Sequence, residues 1–174
     1  MNEKTYIRIA NTISDSIVDG PGLRYVIFVQ GCPHNCKGCH NPQTHDFNGG
    51  KLVSIDTIID EIKQNPLIAG ITLSGGEPFC QSKELSELVS KIKEIDNSNY
   101  DIITYTGYDI EYLISNENDT NHYRDLIMMS DYIIDGKFDI NQKSYSVPFR
   151  GSTNQRIIDV KKTLLEHKIY TTEL

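Results

Sequence analysis

Short β-rich apolar runs alternate along the chain with stretches whose apolar residues recur at helical spacing. The runs are residues 25–29, 71–73, 102–105 and 132–134. Between the first two, Ile55, Ile58, Ile59 and Ile62 follow the i, i+3, i+4, i+7 rule, with Ser54 placed to cap a helix and Asp56 in its first turn. Leu85, Leu88, Val89 and Ile92 repeat the spacing, with Ser82 as the expected cap. A weaker helical region falls between residues 109 and 129, broken by the polar stretch 116–121, and residues 156–160 and 161–168 read as a last strand and a short helix. Strand–helix alternation predicts βαβ units and a mostly parallel sheet. A closed βα barrel needs roughly 250 residues, more than the 174 present. The expected architecture is therefore a single α/β domain over residues 1–174, built as a partial (βα) TIM-like barrel or open sheet.

Each of these strands runs directly into a polar or glycine-rich segment. Residues 25–29 lead to Gln30-Gly31 and a cysteine-rich loop; 71–73 lead to Ser74-Gly75-Gly76-Glu77-Pro78. Residues 102–105 are succeeded by Thr106-Gly107-Tyr108, and 132–134 by Asp135-Gly136-Lys137. In parallel α/β folds the carboxyl ends of the strands share one rim, and ligands bind there. These four segments should therefore converge on one site. The loops between them are short, leaving little chain for a lid.

Charge narrows the range of partners. With 17 Lys+Arg against 24 Asp+Glu the net charge is −7, and no Lys/Arg block occurs, which argues against nonspecific nucleic-acid binding through phosphates. No signal-peptide pattern opens the chain and no run approaches the roughly 20 apolar residues of a membrane span. A cytoplasmic setting, no membrane, and a small molecule or protein partner are expected.

The loop "GCPHNCKGCHNPQTHDF", residues 31–47, holds Cys32, Cys36 and Cys39 together with His34, His40 and His45. A reducing compartment disfavours a disulfide. Structural zinc usually takes two separated ligand pairs that staple a small domain, whereas here all the ligands share one loop; zinc held by three cysteines and a histidine remains an alternative. A [4Fe–4S] cluster normally takes four cysteines. Three would leave one iron open to a ligand. Cys80, the remaining cysteine, follows the glycine motif and could be a fourth ligand on the same rim, but an ordinary small buried residue is expected.

The spacing Cys32-x3-Cys36-x2-Cys39, with Gly75-Gly76-Glu77-Pro78 after the next strand, resembles the radical S-adenosylmethionine enzymes. Asp19-Gly20-Pro21-Gly22-Leu23-Arg24 ahead of the strand resembles the glycyl-radical activating enzymes among them. The short length, Asp135-Gly136-Lys137 and the segment from Arg150 to Arg156 resemble the activases of anaerobic (class III) ribonucleotide reductase. Two departures stand out: Gly38 replaces an aromatic common before the third cysteine, and His45 stands where those activases often carry Trp.

The resemblance implies a function and a set of roles. Cys32, Cys36 and Cys39 would hold a [4Fe–4S] cluster near the negative end of the roughly −700 to +450 mV that such clusters span. S-adenosyl-L-methionine would bind through Gly38, Cys39, His40, Ser74, Gly75, Gly76, Glu77 and Lys137. Within that set Glu77 would accept from the amino group, Lys137 would meet the carboxylate, and the backbones around Gly38 and His40 would lie against the adenine. Asp19 would meet the target polypeptide, and Arg150, Asn154 and Arg156 would position cofactor or target. The implied chemistry is reductive formation of a 5′-deoxyadenosyl radical, which takes a hydrogen from a glycine of the anaerobic reductase. Reduced flavodoxin or ferredoxin would be the electron donor. Another glycyl-radical enzyme such as pyruvate formate-lyase, or a small-molecule substrate, is the alternative target; a zinc-stapled binding module is the alternative without catalysis.

Overall fold

The four apolar runs become the four central strands of one sheet in the computed structural model, which describes residues 4–95 and 99–174. The strands are β1 (Tyr6–Ser16), β2 (Arg24–Val29), β3 (Lys51–Ser54), β4 (Gly70–Gly75), β5 (Asp101–Tyr105), β6 (Tyr132–Asp135) and β7 (Arg156–Asp159), in the order β3-β1-β2-β4-β5-β6-β7. Strands β2, β4, β5 and β6 are parallel neighbours. β1 and β7 flank them antiparallel, and β3 pairs antiparallel with β1. Five of the seven strands therefore point the same way. The partial-barrel expectation is met at the coarser level of a mixed α/β fold with an open, mostly parallel sheet, whose edges are β3 and β7.

Two strands carry no signal in the apolar pattern. In β1 only Ile7 and Ile9 are buried hydrophobics, and the rest of its eleven residues are mostly polar, so no apolar run marks it. β3 is four residues long and ends in Ser54, the cap of the following helix. The last strand also differs in direction. β6 and β7 are joined by a long loop without a crossover helix, and a strand that returns without a crossover pairs antiparallel.

The helices are α1 (Ile55–Lys63), α2 (Ser82–Lys93), α3 (Ile110–Ser115), α4 (Tyr123–Met129) and α5 (Val160–Glu166). Ser54 caps α1 as the pattern predicts, accepting from the Thr57 N–H at 3.2 Å. Ser82 does not cap α2. It is the first helical residue, and its hydroxyl donates to the Phe79 carbonyl, because a one-turn 3₁₀ segment (Pro78–Gln81) leads directly into the helix. Among the described residues, no helix is long and apolar enough to cross a membrane.

The two faces of the sheet differ. Ile27, Leu73, Ile102, Ile133 and Ile158 face a large core to which Ile58, Leu88, Leu113, Leu126 and Val160 bring all five helices. Their neighbours Ile103, Ile134 and Ile157 turn the other way into a small cluster with Tyr105, Phe149 and Leu174. This is the period-two alternation of a pleated strand. Arg24 and Thr72 lie on that second side, and Arg24 is fully buried. Its guanidinium donates to the Thr72 hydroxyl at 2.7 Å, to the Ile71 carbonyl at 2.8 Å and to both Asp101 carboxylate oxygens at 3.1 Å. It also reaches the Pro21 carbonyl, and Thr72 donates to the Asp19 carbonyl. One buried cation thus ties the Asp19–Leu23 turn to three strands.

Breaking a buried pair leaves its partner uncompensated. Arg24→Met, which keeps most of the stem and removes the guanidinium, should cost about 3 kcal/mol, read as a lower urea midpoint at unchanged slope. An unchanged midpoint would show that the network contributes nothing net.

Candidate cluster and cofactor site

Because β2, β4, β5 and β6 are parallel, their carboxyl ends do bring the expected segments together. They open into a cavity of about 890 Å³, within the roughly 300–1,000 Å³ of ordinary ligand sites. Cys32, Cys36, Cys39, His40, Ser74, Gly75 and Gly76 line it; so do Asp19 and Arg150. Gly38, Glu77 and Lys137 do not.

The cysteine loop is held at its base. Gly31 N–H donates to the Thr44 carbonyl at 2.8 Å and Cys32 N–H to the His45 carbonyl at 3.2 Å. The buried Gln30 amide donates to the Gln43 and Asp46 carbonyls. Within the loop, Cys39 N–H closes a turn on the Cys36 carbonyl at 3.1 Å, and Asn41 N–H donates to Cys39 Sγ at 3.4 Å. All four cysteines are free thiols. Burial pushes the Cys32 and Cys36 thiols up, with the nearby Lys137 charge opposing this at Cys36. Partly buried thiolates need a cation to compensate them, and iron supplies one. Among the described residues, no three His, Cys, Asp or Glu side chains converge as the ligands of one ion. The donor set, three cysteines of one loop lining one cavity, is of the kind that a [4Fe–4S] cluster takes, each thiolate on a separate iron. Cys80, expected to be buried, is exposed, because it lies in the 3₁₀ turn after β4, and it does not line the cavity.

The glycines of the Ser74–Pro78 segment line the cavity as expected, and they also serve a packing purpose. Beyond the last residue of β2, Gly76 N–H donates to the Val29 carbonyl and Glu77 N–H to the Gly31 carbonyl, both at 2.8 Å. The two chains are so close that a Cβ on Gly76 would sit 2.4 Å from the Gly31 oxygen, and one on Gly75 would sit 2.6 Å from the Phe28 backbone. The left-handed backbone belongs to Gly75, at φ +95°, and not to Gly76. These glycines first let the segment seal against the start of the cysteine loop; their exposure to the cavity is a result of that.

Glu77 is not a cavity residue. It is fully buried, and its two oxygens accept from the Phe79 and Gly107 N–H groups, the Thr106 hydroxyl and His34 Nε2. The expected contact with a cofactor amino group has no lone pair left in this arrangement. Lys137 is exposed, and its carbonyl accepts from the Asn154 amide. Gly38 is also exposed and has Ile140 against it, while His40 packs on Phe138 at 4.9 Å between ring centroids. Arg156 is committed elsewhere: it grips the buried Asp135, with Nε–Oδ1 at 3.0 Å, and pairs bidentately with Glu111 at 3.0 and 2.7 Å. These pairs join β7 to β6 and α3, and Arg156 does not line the cavity. Arg150 pairs with Glu173.

Tyr105 and residues 143–145 and 147–149 also line the cavity and are not among the site residues expected from the sequence, and His34 lines it in a place other than that of a zinc ligand. Tyr105, whose phenol burial pushes up, donates to the Phe149 carbonyl at 2.6 Å. Phe149 starts the return arm of an irregular hairpin, closed by the Lys143–Ser152 bridge and the Ser144 N–H to Gly151 carbonyl bond. The hairpin carries Tyr145, 91 % exposed, beside the cavity. Tyr145, Val147 and Phe149 alternate with Ser144, Ser146 and Pro148, a short period-two signal that Pro148 interrupts, so the stretch does not stand out as one of the apolar runs.

Comparison with known proteins fits this geometry. The family model described as "4Fe-4S single cluster domain" matches residues 18–158. A protein of Enterobacteria phage T4 is 36% identical over 144 residues, covering 80% of this chain and 86% of its own. One from Haemophilus influenzae is 35% identical over 147 residues, covering 81% and 90%. One from Escherichia coli K12 is 33% identical over 145 residues, covering 80% and 90%. All three are named anaerobic ribonucleoside-triphosphate reductase-activating protein. The structure of QueE from Escherichia coli, at TM-score 0.40 and 17% identity over 60% of this chain and 53% of that one, is too distant to carry an argument.

Gly76→Val places a branched side chain against the Gly31 oxygen. It should impair the cysteine loop as well as the cavity wall, at a cost of about 1–3 kcal/mol. Iron bound after anaerobic reconstitution should fall together with cofactor affinity measured by calorimetry. Full iron content with normal affinity would show that the close approach is dispensable.

Proposed function

Since the chain belongs to the 4Fe-4S single cluster domain family and to the anaerobic ribonucleoside-triphosphate reductase-activating proteins, we propose that it installs a glycyl radical on the anaerobic reductase, using a [4Fe–4S] cluster and S-adenosylmethionine. The supporting observation is that three cysteines of one loop and Ser74-Gly75-Gly76 line a single cavity at the carboxyl ends of parallel strands. When bound, the cluster and cofactor supply a one-electron cleavage that gives methionine and a 5′-deoxyadenosyl radical, which takes the α-hydrogen of a glycine.

The chain's own part is binding, orientation and exclusion of water. Cys32, Cys36 and Cys39 are the three protein ligands, which leaves a fourth iron position for the cofactor. Ser74, Gly75 and Gly76 present the groups that meet the cofactor's amino acid end. Lys137 acts from outside the cavity as a charge near Cys36. The His40–Phe138 pair offers an aromatic wall beside the third cysteine. Asp19 stands at the opposite side of the cavity, held by Ser16 and, through its carbonyl, by Thr72. With Ile17 and Val18 exposed beside it and Tyr145 exposed on the hairpin, the mouth is apolar and open, and a partner polypeptide would complete the exclusion of water. A low-potential carrier of the flavodoxin or ferredoxin kind is the proposed electron source.

Each of Cys32→Ala, Cys36→Ala and Cys39→Ala should abolish cofactor cleavage, while Cys80→Ala should leave it within about twofold of wild type. Loss of the cluster in Cys80→Ala would mean four protein ligands and no open iron. Mixing the reduced protein, cofactor and anaerobic reductase without oxygen should give the doublet of a glycine-centred radical by electron paramagnetic resonance. Its appearance on another glycyl-radical enzyme but not on the reductase would redirect the assignment.

A further inference from the structure

The hydrogen-bonding of Glu77 points to a role that neither the sequence motif nor the relatives' names assign, one that rests on the function proposed above. A carboxylate offers about four acceptor positions, and Glu77 spends them on Phe79 N–H at 3.0 Å, the Thr106 hydroxyl at 2.9 Å, Gly107 N–H at 2.8 Å and His34 Nε2 at 2.6 Å. The four donors come from three separate segments: the 3₁₀ turn after β4, the turn after β5, and the cysteine loop. The imidazole is itself boxed in. A Cβ on Gly107 would lie 2.3 Å from its Cδ2, so the glycine leaves space that the ring fills, and Tyr108 stands edge-on to it at 4.5 Å and 74°. The His34 side chain is only 5% exposed, while its neighbours Pro33, Asn35 and Lys37 are exposed.

We propose that Glu77 is a positioning residue: by clamping His34 against the Thr106–Gly107 turn, it fixes where Cys32 and Cys36 stand on the cavity wall. His34 lies midway between those cysteines, two residues from each. Pinning it restricts both thiols at once, and hydrogen bonds around a metal's ligands commonly set ligand orientation and tune the centre. The pair also links the cysteine loop to the end of β5, so that the loop and the cofactor cavity share one support.

The test uses the full chain, reconstituted anaerobically. His34→Phe keeps a ring against Gly107 and Tyr108 but removes the nitrogen; Glu77→Gln keeps the shape but replaces one acceptor oxygen with a donor. Both singles and the double variant should show a shifted electron paramagnetic resonance line shape for the reduced cluster, recorded without cofactor. Affinity for S-adenosylmethionine should fall about tenfold in each single variant and no further in the double, because residues acting as a unit are not additive. If Glu77→Gln does not fold, Thr106→Val, which removes another donor to the same carboxylate, carries the same expectation. A normal cofactor-free signal in every folded variant, whatever its melting temperature, would overturn the inference. So would a harmless His34→Phe beside a Glu77→Gln that loses only cofactor affinity, since Glu77 would then be a direct contact. A wild-type chain that assembles no cluster would overturn the proposed function and this inference with it; a normal wild-type cluster with unmoved variants overturns this inference alone.

Discussion

A carboxylate cut off from water must find its hydrogen bonds inside the protein, and the segments that provide them are thereby held together. Glu77 has no exposed surface and four protein donors. Those donors belong to every element that frames the cavity on the β4 and β5 side, including the loop with the three cysteines. The turns after β4 and β5 and the cysteine loop therefore meet at this one group. The close approach of Gly76 to Gly31 places Glu77 there: backbone pairing between β2 and β4 continues past the strand ends and carries the side chain under the loop.

A second buried charge plays the corresponding part on the sheet's other side. The helices cover one face with apolar side chains, as usual for strands with crossover connections. The opposite face leads to the cavity and carries Arg24, Thr72 and a small apolar cluster. Arg24 satisfies the turn that bears Asp19 through the Pro21 carbonyl and, by way of Thr72, through the Asp19 carbonyl. The two sides of the cavity are thus each set by one buried ion, with its partners spread over distant stretches of chain. Such ions add little net stability compared with apolar packing; what they fix here is the position of loops that have no regular structure.

The cavity walls also bear on the partner. The loops read from the sequence as short, but the connection from β6 to β7 is long. Residues 142–153 form a hairpin along one side of the opening, pinned by the Tyr105 phenol on the Phe149 carbonyl. Its tip leaves Tyr145 in solvent, and Ile17 and Val18, which also line the cavity, are exposed. A wall of this kind shields the cavity laterally and leaves its top to whatever docks.

Some of this was legible in the residues themselves. The central parallel strands, the caps and faces of α1, and the gathering of the cysteine loop, Ser74–Gly76 and the Thr106–Tyr108 turn on one rim all come from local patterns: apolar runs, helical spacing, and the rule that parallel strands share an end. Thiol spacing marked the proposed ligands, because a cluster's ligands commonly sit close together in sequence. What a side chain does once it arrives was another matter. Glu77 reads as a ligand contact and also has four protein donors, Arg156 reads as a positioning group and also ties strand to helix, and His34 reads as a candidate zinc ligand and pairs with Glu77. The short edge strand β3, the polar β1 and the antiparallel return of β7 were unmarked. Each of these outcomes depends on partners far away in the chain: His34 lies 43 residues from Glu77, and Arg156 lies 21 from Asp135 and 45 from Glu111. Sequence by itself determined which segments reach the site, because that is written in local periodicity and strand direction. Only the tertiary structure decided which of their polar groups are spent inside the protein and which still face the cavity, because burial and hydrogen-bond saturation are properties of the packed whole.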